Sequence, residues 1–310
     1  MPHPLRMFAY HDTWFITCRT FQARKLMTPT TRLVRDVCGG VLAKAAAVCG
    51  VRLHAYAFLS NHLHLIVRAQ GQQLARFMKY LLGNLSKKLG PLSKPEPGWW
   101  NRFWERRYTA TPVLDDAALE ERLRYVLAHG VKEGLVARIA DWEGLHCAGQ
   151  LVDEQPRHFP WFNWTRRWKE RQRKGGVVSP RAGRYDPECA ETVALELDPL
   201  PHWAREPPAR RQQRMRELVA EVERQTAPST PPLGMEKVRQ QTTERCWRRK
   251  RSPRPQCHAS TAEARSQFNA FYRAFEEAFR SAARKWLAGE LGVEFPRGSF
   301  RPHVYEVRIV

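Results

Sequence analysis

The 310-residue sequence contains no CxxC pair, no internal repeat and no run of about 20 apolar residues, and its acidic residues are few. Each absence excludes something. The seven cysteines (Cys18, Cys38, Cys49, Cys147, Cys189, Cys246, Cys257) are scattered. Neither a zinc ribbon nor a disulfide framework is indicated, and reduced thiols in a cytoplasmic protein are expected. The longest apolar candidate, Val41 to Ser60, is interrupted by Lys44, Arg52 and His54, so no spanning helix is expected. The opening MPHPLRMFAYHDTW has no apolar core of a secretory signal. Against 31 Asp plus Glu stand 52 Lys plus Arg, a net charge of +21. That balance says nothing about fold. It points to a polyanionic partner, and without a membrane segment the partner expected is nucleic acid, with a nucleoid-associated location.

The elements follow from periodicity. Trp14 to Phe21 is β-branched and aromatic, a strand. Leu33, Val37, Val41, Ala45 and Val48 recur at helical spacing, and Gly50 stands where a helix ends. Val51 to Leu59 and His62 to Arg68 read as a hairpin around Ser60-Asn61. Leu74, Phe77, Met78, Leu81, Leu82, Leu85 and Leu89 mark an amphipathic helix with a basic far side. Trp100 to Leu114 is extended and basic. Asp115 or Asp116 then caps a helix ending at Gly130 or Gly134. This order, β-α-β-β-α-(β)-α, predicts an α+β fold: a ferredoxin-like split βαβ unit with an antiparallel sheet and helices on one face. Residues 1–150 form that unit. Residues 151–255 are basic and rich in Pro, Arg and Trp, with a short helix over Arg210 to Gln225 and a polar run around Trp247 to Arg254. Residues 256–310 hold a helix opened by Ser260-x-x-Glu263, with Phe268, Phe271, Phe275 and Phe279 on one face, and a strand-like tail, Val304 to Val310. The extension after 150 is expected to be mainly helical.

SNHLHLIV (Ser60 to Val67) sets two histidines on an apolar strand. Residues i and i+2 of a strand share a face, so His62 and His64 present adjacent imidazoles, a natural start for a divalent metal site. The plain alternative is a structural pair. On the capped helix, Tyr125 and His129 are four apart and one turn removed from each other. A phenol beside a metal can attack a polarised phosphate. An ordinary packing tyrosine is the alternative. Tyr56, Tyr80 and Tyr108 compete, but Tyr80 lies in an apolar stripe and Tyr108 among arginines.

NHLHLIV, the stretch RFWERRY (Arg102 to Tyr108) and a later helix of the form RYVxxxxVKxGLV together resemble the Y1 transposases. These are HUH-type single-tyrosine DNA transposases of the IS200/IS605 kind, with their REP-associated relatives. The resemblance spans about residues 10–150. It implies that His62 and His64 bind Mg²⁺ or Mn²⁺, that Tyr125 is the nucleophile and that His129 is the third ligand. It also implies a 5′-phosphotyrosine intermediate with a free 3′-OH, on single-stranded or hairpin DNA. Relatives carry Asn or Gln where this chain has His129, and an imidazole there shifts preference toward Mn²⁺ or Zn²⁺.

Arg19, Arg24, Lys79, Lys87, Lys88, Arg102, Arg106, Arg107, Tyr108, Arg124 and Lys132 are candidates for a phosphate path. Trp164, Arg166, Arg167 and Trp168, in FPWFNWTRRWKERQRK, suit stacking on unpaired bases or, equally, an aromatic hook onto the first domain. The expected activity is metal-dependent DNA cleavage and strand transfer by a monomer or homodimer. Two rivals stay open: a hairpin-binding protein without cleavage, and a hydrolase in which water attacks. The lack of an obvious carboxylate near the histidine pair counts against the second rival.

Overall fold

A strand edge and a helix end must each find partners for their backbone groups, and the chain meets this with two sheets and eight helices among its described residues. The computed structural model describes residues 5, 7, 8, 12–92, 102–173, 189–227, 230–241 and 255–302. In chain order the first elements are β1 (Thr13–Arg19), α1 (Arg32–Cys49), β2 (Arg52–Phe58), β3 (His62–Arg68), α2 (Gln73–Leu89), β4 (Thr109–Pro112) and α3 (Asp116–Leu127). There follow α4 (Ala148–Asp153), β5 (Arg157–Phe162), α5 (Trp164–Arg173), β6 (Ala190–Leu195), α6 (Pro208–Thr226), α7 (Met235–Arg239) and α8 (Ala262–Leu287).

The first sheet has the order β2-β3-β1-β4, antiparallel throughout, which is the split βαβ arrangement. Gly50 ends α1 at φ +63, and its N–H donates to the Ala46 carbonyl. Leu59 N–H donates to the His62 carbonyl at 2.8 Å and closes the hairpin. On β1 and β3 the fully buried Ile16, Leu63 and Leu65 share one face and join the apolar stripes of α1 and α2 in a single core. The opposite face carries His62, His64 and Phe15, and α3 lies over it.

Asp115 is the N-cap of α3, its Oδ1 accepting from Ala118 N–H at 2.8 Å. The helix stops at Leu127, earlier than the glycines suggested. Gly130 sits at φ +95, a conformation that breaks the helix and favours glycine. The Leu135 and Val136 N–H groups then fold back onto its carbonyl at 2.9 and 3.2 Å. Within Trp100 to Leu114, Thr109–Pro112 pairs as a regular strand, and part of the stretch lies outside the described residues.

Beyond residue 150 the described chain is helical apart from one ribbon, β5 with β6, which the periodicity did not reveal. That ribbon seats on α1. A Cβ at Gly39 would lie 2.4 Å from the Phe159 ring, and one at Gly40 would lie 2.5 Å from the Pro160 carbonyl oxygen. Phe159, Trp161, Leu195, Trp203, Met215, Leu218 and Val222 enter the same core as the first sheet. The last helix is capped by Thr261, not Ser260: Thr261 Oγ1 accepts from Ala264 N–H at 3.1 Å. Phe268, Tyr272 and Phe275 form its buried face, while Phe271 is turned outward. The tail Val304 to Val310 and the run Trp247 to Arg254 lie outside the described residues. No helix among the described residues is long and apolar enough to cross a membrane, and no two of the six described cysteines form a disulfide with each other.

Candidate metal and nucleophile site

The site begins with strand register. β1 pairs with β3 so that Thr17 faces His64 and Arg19 faces His62, which puts these four side chains on one side of the sheet. From above, α3 and the turn after it deliver Tyr125 and His129. One ligand atom from each of His62, His64 and His129 lies within 4.8 Å of the others. Ring centroids are 5.0 Å apart for His62–His64, 5.6 Å for His62–His129 and 4.3 Å for His64–His129.

Each imidazole is oriented through its Nδ1. His129 Nδ1 lies 2.7 Å from the Tyr125 carbonyl oxygen, and His62 Nδ1 lies 2.7 Å from Asn61 Oδ1. The Asn61 amide is turned that way because its Nδ2 donates to the Ala23 carbonyl at 3.1 Å. His64 Nδ1 is 3.0 Å from Thr17 Oγ1. A carbonyl oxygen can only accept, so His62 and His129 carry their hydrogen on Nδ1, leaving a bare lone pair on Nε2. Burial, then Arg19 and Lys132, push the His62 pKa down to about 3. Burial, then Lys132 and His62, push His129 to about 2. Burial, then the neighbouring His129 and His62 rings, hold His64 well below the usual range. Three neutral, oriented nitrogen donors in so small a volume fit a divalent cation, and they suit imidazole-tolerant ions better than Mg²⁺.

Tyr125 is 38% exposed, so its phenol is open to a large substrate. Its ring is 4.8 Å from His129 and 5.4 Å from His64. Lys132 Nζ stands 3.2 Å from the Tyr125 ring centroid and the Arg122 guanidinium 5.3 Å from it. Burial raises the phenol pKa, as does Glu133, while Arg122 and Arg19 lower it. Among the competing tyrosines, Tyr56 is fully buried with its hydroxyl on Gln150 Oε1 at 2.7 Å, and Tyr108 is buried.

The candidate DNA contacts divide. Arg19 and Lys132 border the triad, and Lys79, Lys87, Arg102 and Arg107 are exposed. Arg106 is half-buried. Arg24 is buried and donates to Gln22 Oε1 at 3.1 Å. Lys88 lies over the Trp161 ring at 4.3 Å. Arg124 turns away from the triad and binds Glu221 of α6 at 2.5 Å. In the aromatic stretch both readings hold, for different residues. Phe159 and Trp161 are the hook, whereas Trp164 and Trp168 are 54% and 61% exposed. Arg167 is buried against Phe162 and Trp164, and Arg166 pairs with Glu170 at 2.9 Å.

Several residues at the site escaped the sequence reading. Thr17 follows from the β1–β3 register and Arg122 from helical spacing to Tyr125. Glu133 comes back to His129 only because the chain turns at Gly130: its Oε2 accepts from Gly130 N–H at 2.7 Å, and its Oε1 is 3.8 Å from His129 Nε2. The carboxylate missing from the sequence pattern is therefore present. His258 had no signal. The segment before α8 pairs with the end of β4, with His258 N–H on the Pro112 carbonyl at 2.8 Å, and brings the His258 ring to 5.4 Å from Phe15.

Residues 9–129 match the model of a family described as transposase IS200 like. Two of the similar solved structures are these. One is a REP-associated tyrosine transposase bound to a REP hairpin, with 17% identity over 49% of this chain and 86% of that one, TM-score 0.41. The other, a candidate transposase from Deinococcus radiodurans R1, has 20% identity over 41% of this chain and 95% of that one, TM-score 0.30. No curated protein matches the chain.

Proposed function

We propose, from the premise that residues 9–129 match the IS200-like transposases, that the protein cleaves and rejoins single-stranded, hairpin-forming DNA through Tyr125. The family match itself supports DNA cleavage of the transposase type. The observation that carries the finer reading is an exposed phenol one turn from an imidazole that closes a three-histidine cluster.

His62, His64 and His129 would hold a divalent cation, Mn²⁺ before Mg²⁺ on their donor chemistry. When bound, the ion supplies Lewis-acid polarisation of the phosphoryl oxygens. Tyr125 Oη attacks the phosphorus. An Oη–P bond forms, the P–O3′ bond breaks, and the 5′ side stays on tyrosine as a phosphodiester. The departing 3′ oxygen takes up a proton, matching the one the phenol gives to solvent. Arg19, Arg122 and Lys132, which lie near Tyr125, would accompany the phosphates that flank the reacting one. The exposed Trp164 and Trp168 offer faces for unpaired bases.

Glu133 gives the rival water mechanism a base, and one experiment separates the two readings. The protein is incubated with Mn²⁺ and a labelled single-stranded oligonucleotide carrying a hairpin, then denatured and resolved on a gel. A covalent protein–DNA adduct is expected, absent in Tyr125→Phe, which still binds the oligonucleotide. Nicking by Tyr125→Phe without an adduct would overturn the tyrosine mechanism. DNA binding with neither nick nor adduct in the parent would leave a binding protein.

A further inference from the structure

We propose that Glu133 is a fourth, carboxylate ligand to the cation held by His62, His64 and His129. The proposal rests on the three-histidine reading above and adds to it. Its starting point is an unusual pair of atoms. His129 Nε2, a bare lone pair because Nδ1 is committed to the Tyr125 carbonyl, faces Glu133 Oε1 at 3.8 Å. Two acceptors held face to face, one of them on a fully buried ring, have little reason to meet unless a cation comes between them. Metal–nitrogen and metal–oxygen bonds of about 2.1 Å each can together span a gap of up to about 4.2 Å, so a single ion bridges this one.

The backbone aims the carboxylate there. Gly130 N–H holds Oε2 at 2.7 Å, and the left-handed turn at Gly130, φ +95, brings residue 133 back over residue 129. With Oε2 anchored, Oε1 faces His129 Nε2. Its other close charged neighbour, Lys132 Nζ, is 3.7 Å away, beyond hydrogen-bonding distance, and is engaged over the Tyr125 ring. Charge points the same way. Among the described residues, Glu133 is the one carboxylate within ion-pair range of the triad, whose charged neighbours are otherwise Arg19 and Lys132. A dication among three neutral imidazoles beside two cations needs an anion, and a carboxylate ligand supplies one before DNA arrives. Three imidazoles and one carboxylate leave two positions of a six-coordinate ion for the substrate phosphate.

The test reads the ion itself. Mn²⁺ is titrated calorimetrically into the full chain, into Glu133→Gln, which keeps an oxygen for Gly130 N–H, and into His129→Ala. A Mn²⁺-soaked crystal of the parent is examined by anomalous scattering. Expected are an affinity at least about tenfold weaker for Glu133→Gln and a Mn²⁺ ion about 2.2 Å from Oε1. Parent-like affinity in Glu133→Gln, with His129→Ala impaired, overturns the Glu133 assignment and leaves the triad standing. A Mn²⁺ ion more than about 3 Å from Oε1 overturns it whatever the affinities. Parent-like binding by His129→Ala as well would mean that the triad reading fails, and the fourth ligand with it.

Discussion

The carbonyl oxygen of Tyr125 accepts from His129 Nδ1 at 2.7 Å, so the residue that presents the phenol also fixes the tautomer of the third imidazole. The bond runs through the backbone and survives any change of the Tyr125 side chain. Nucleophile and metal site are thus separable by mutation. Tyr125→Phe should bind Mn²⁺ within about twofold of the parent while forming no covalent DNA adduct, since the outer hydrogen bond that tunes the ligand is kept. Calorimetry on the variant, beside the adduct gel, checks this. A large loss of metal affinity would show that the phenol itself contributes to the ion's seat.

Thr17 makes the converse case. Its hydroxyl is the hydrogen-bond partner of His64 Nδ1, at 3.0 Å, and it lies on β1 directly opposite His64. Valine keeps the β-branched shape that the strand wants but cannot hydrogen-bond. Thr17→Val should therefore weaken Mn²⁺ binding about 10- to 100-fold with an unchanged far-ultraviolet spectrum, and Thr17→Ser should recover most of it. Equal affinity in Thr17→Val would mean that stacking on Phe15, at 5.3 Å, is enough to hold the His64 ring.

Much of this was legible in the sequence. Strand alternation placed His62 and His64 on one face, Gly50 marked the end of α1 and Asp115 the start of α3, because those signals are local. Helical spacing makes Tyr125 and His129 neighbours one turn apart. They are neighbours, although His129 lies just past the helix end. What stayed hidden depended on contacts distant in sequence. Nothing local says that Arg124 reaches Glu221, 97 residues on, while Arg122, two residues before it, faces the phenol. The β5–β6 ribbon was missed because Pro160 and the charged Arg157 and His158 blur its alternation. The Gly39-Gly40 step that receives it reads as a weakness in α1 until Phe159 and Pro160 are seen against it.

Arg122 and Arg124 make a matched pair for testing DNA contact. Both sit on α3 and both have a carboxylate partner: Arg124 is bound across to Glu221 of α6, Arg122 to the exposed Glu121 beside it. Arg122 has a side chain only 16% exposed, lies over the rings of Phe15 and Tyr125, and buries an Nε without a partner among the described residues. Arg122→Gln should weaken binding of a single-stranded oligonucleotide and lower the slope of log affinity against log salt by about one. Arg124→Gln should change neither. Fluorescence anisotropy at several salt concentrations reads both quantities, and an equal response from the two variants would refute the division.

His146 should make the protein acid-sensitive. It is buried, its Nδ1 accepts from Ala148 N–H at 3.1 Å and its Nε2 donates to the Val126 carbonyl at 3.2 Å, so both nitrogens need the neutral ring. Burial, as the largest cause, pulls its pKa from 6.5 to about 4. The folded value lies below the unfolded one, so the unfolded chain binds more protons in this window. Stability attributable to His146 is thus complete above pH 6.5 and falls by about 1.4 kcal/mol per pH unit from there toward pH 4. Denaturant midpoints at pH 7 and 5 should differ less in His146→Gln than in the parent. The other depressed histidines keep some dependence in both.

The seat of the β5–β6 ribbon offers a test of packing. Alanine normally stabilises a helix interior relative to glycine by about 1 kcal/mol, so Gly39→Ala in isolated α1 would help. In the folded chain its methyl would meet the Phe159 ring at 2.4 Å, closer than carbon atoms tolerate. Either the ring leaves its pocket or β5 lifts from α1, and overpacking of this kind costs about 1–3 kcal/mol. Gly39→Ala should therefore lower the urea midpoint, against the helix-propensity expectation. Phe159→Ala alone should also destabilise, because it opens a cavity. The double variant should be less unstable than the two single losses combined, since the new methyl partly fills the space the ring vacates. Additive losses in that double-mutant cycle would mean that Gly39 and Phe159 do not touch in solution, and that the ribbon is held by its other contacts with the core.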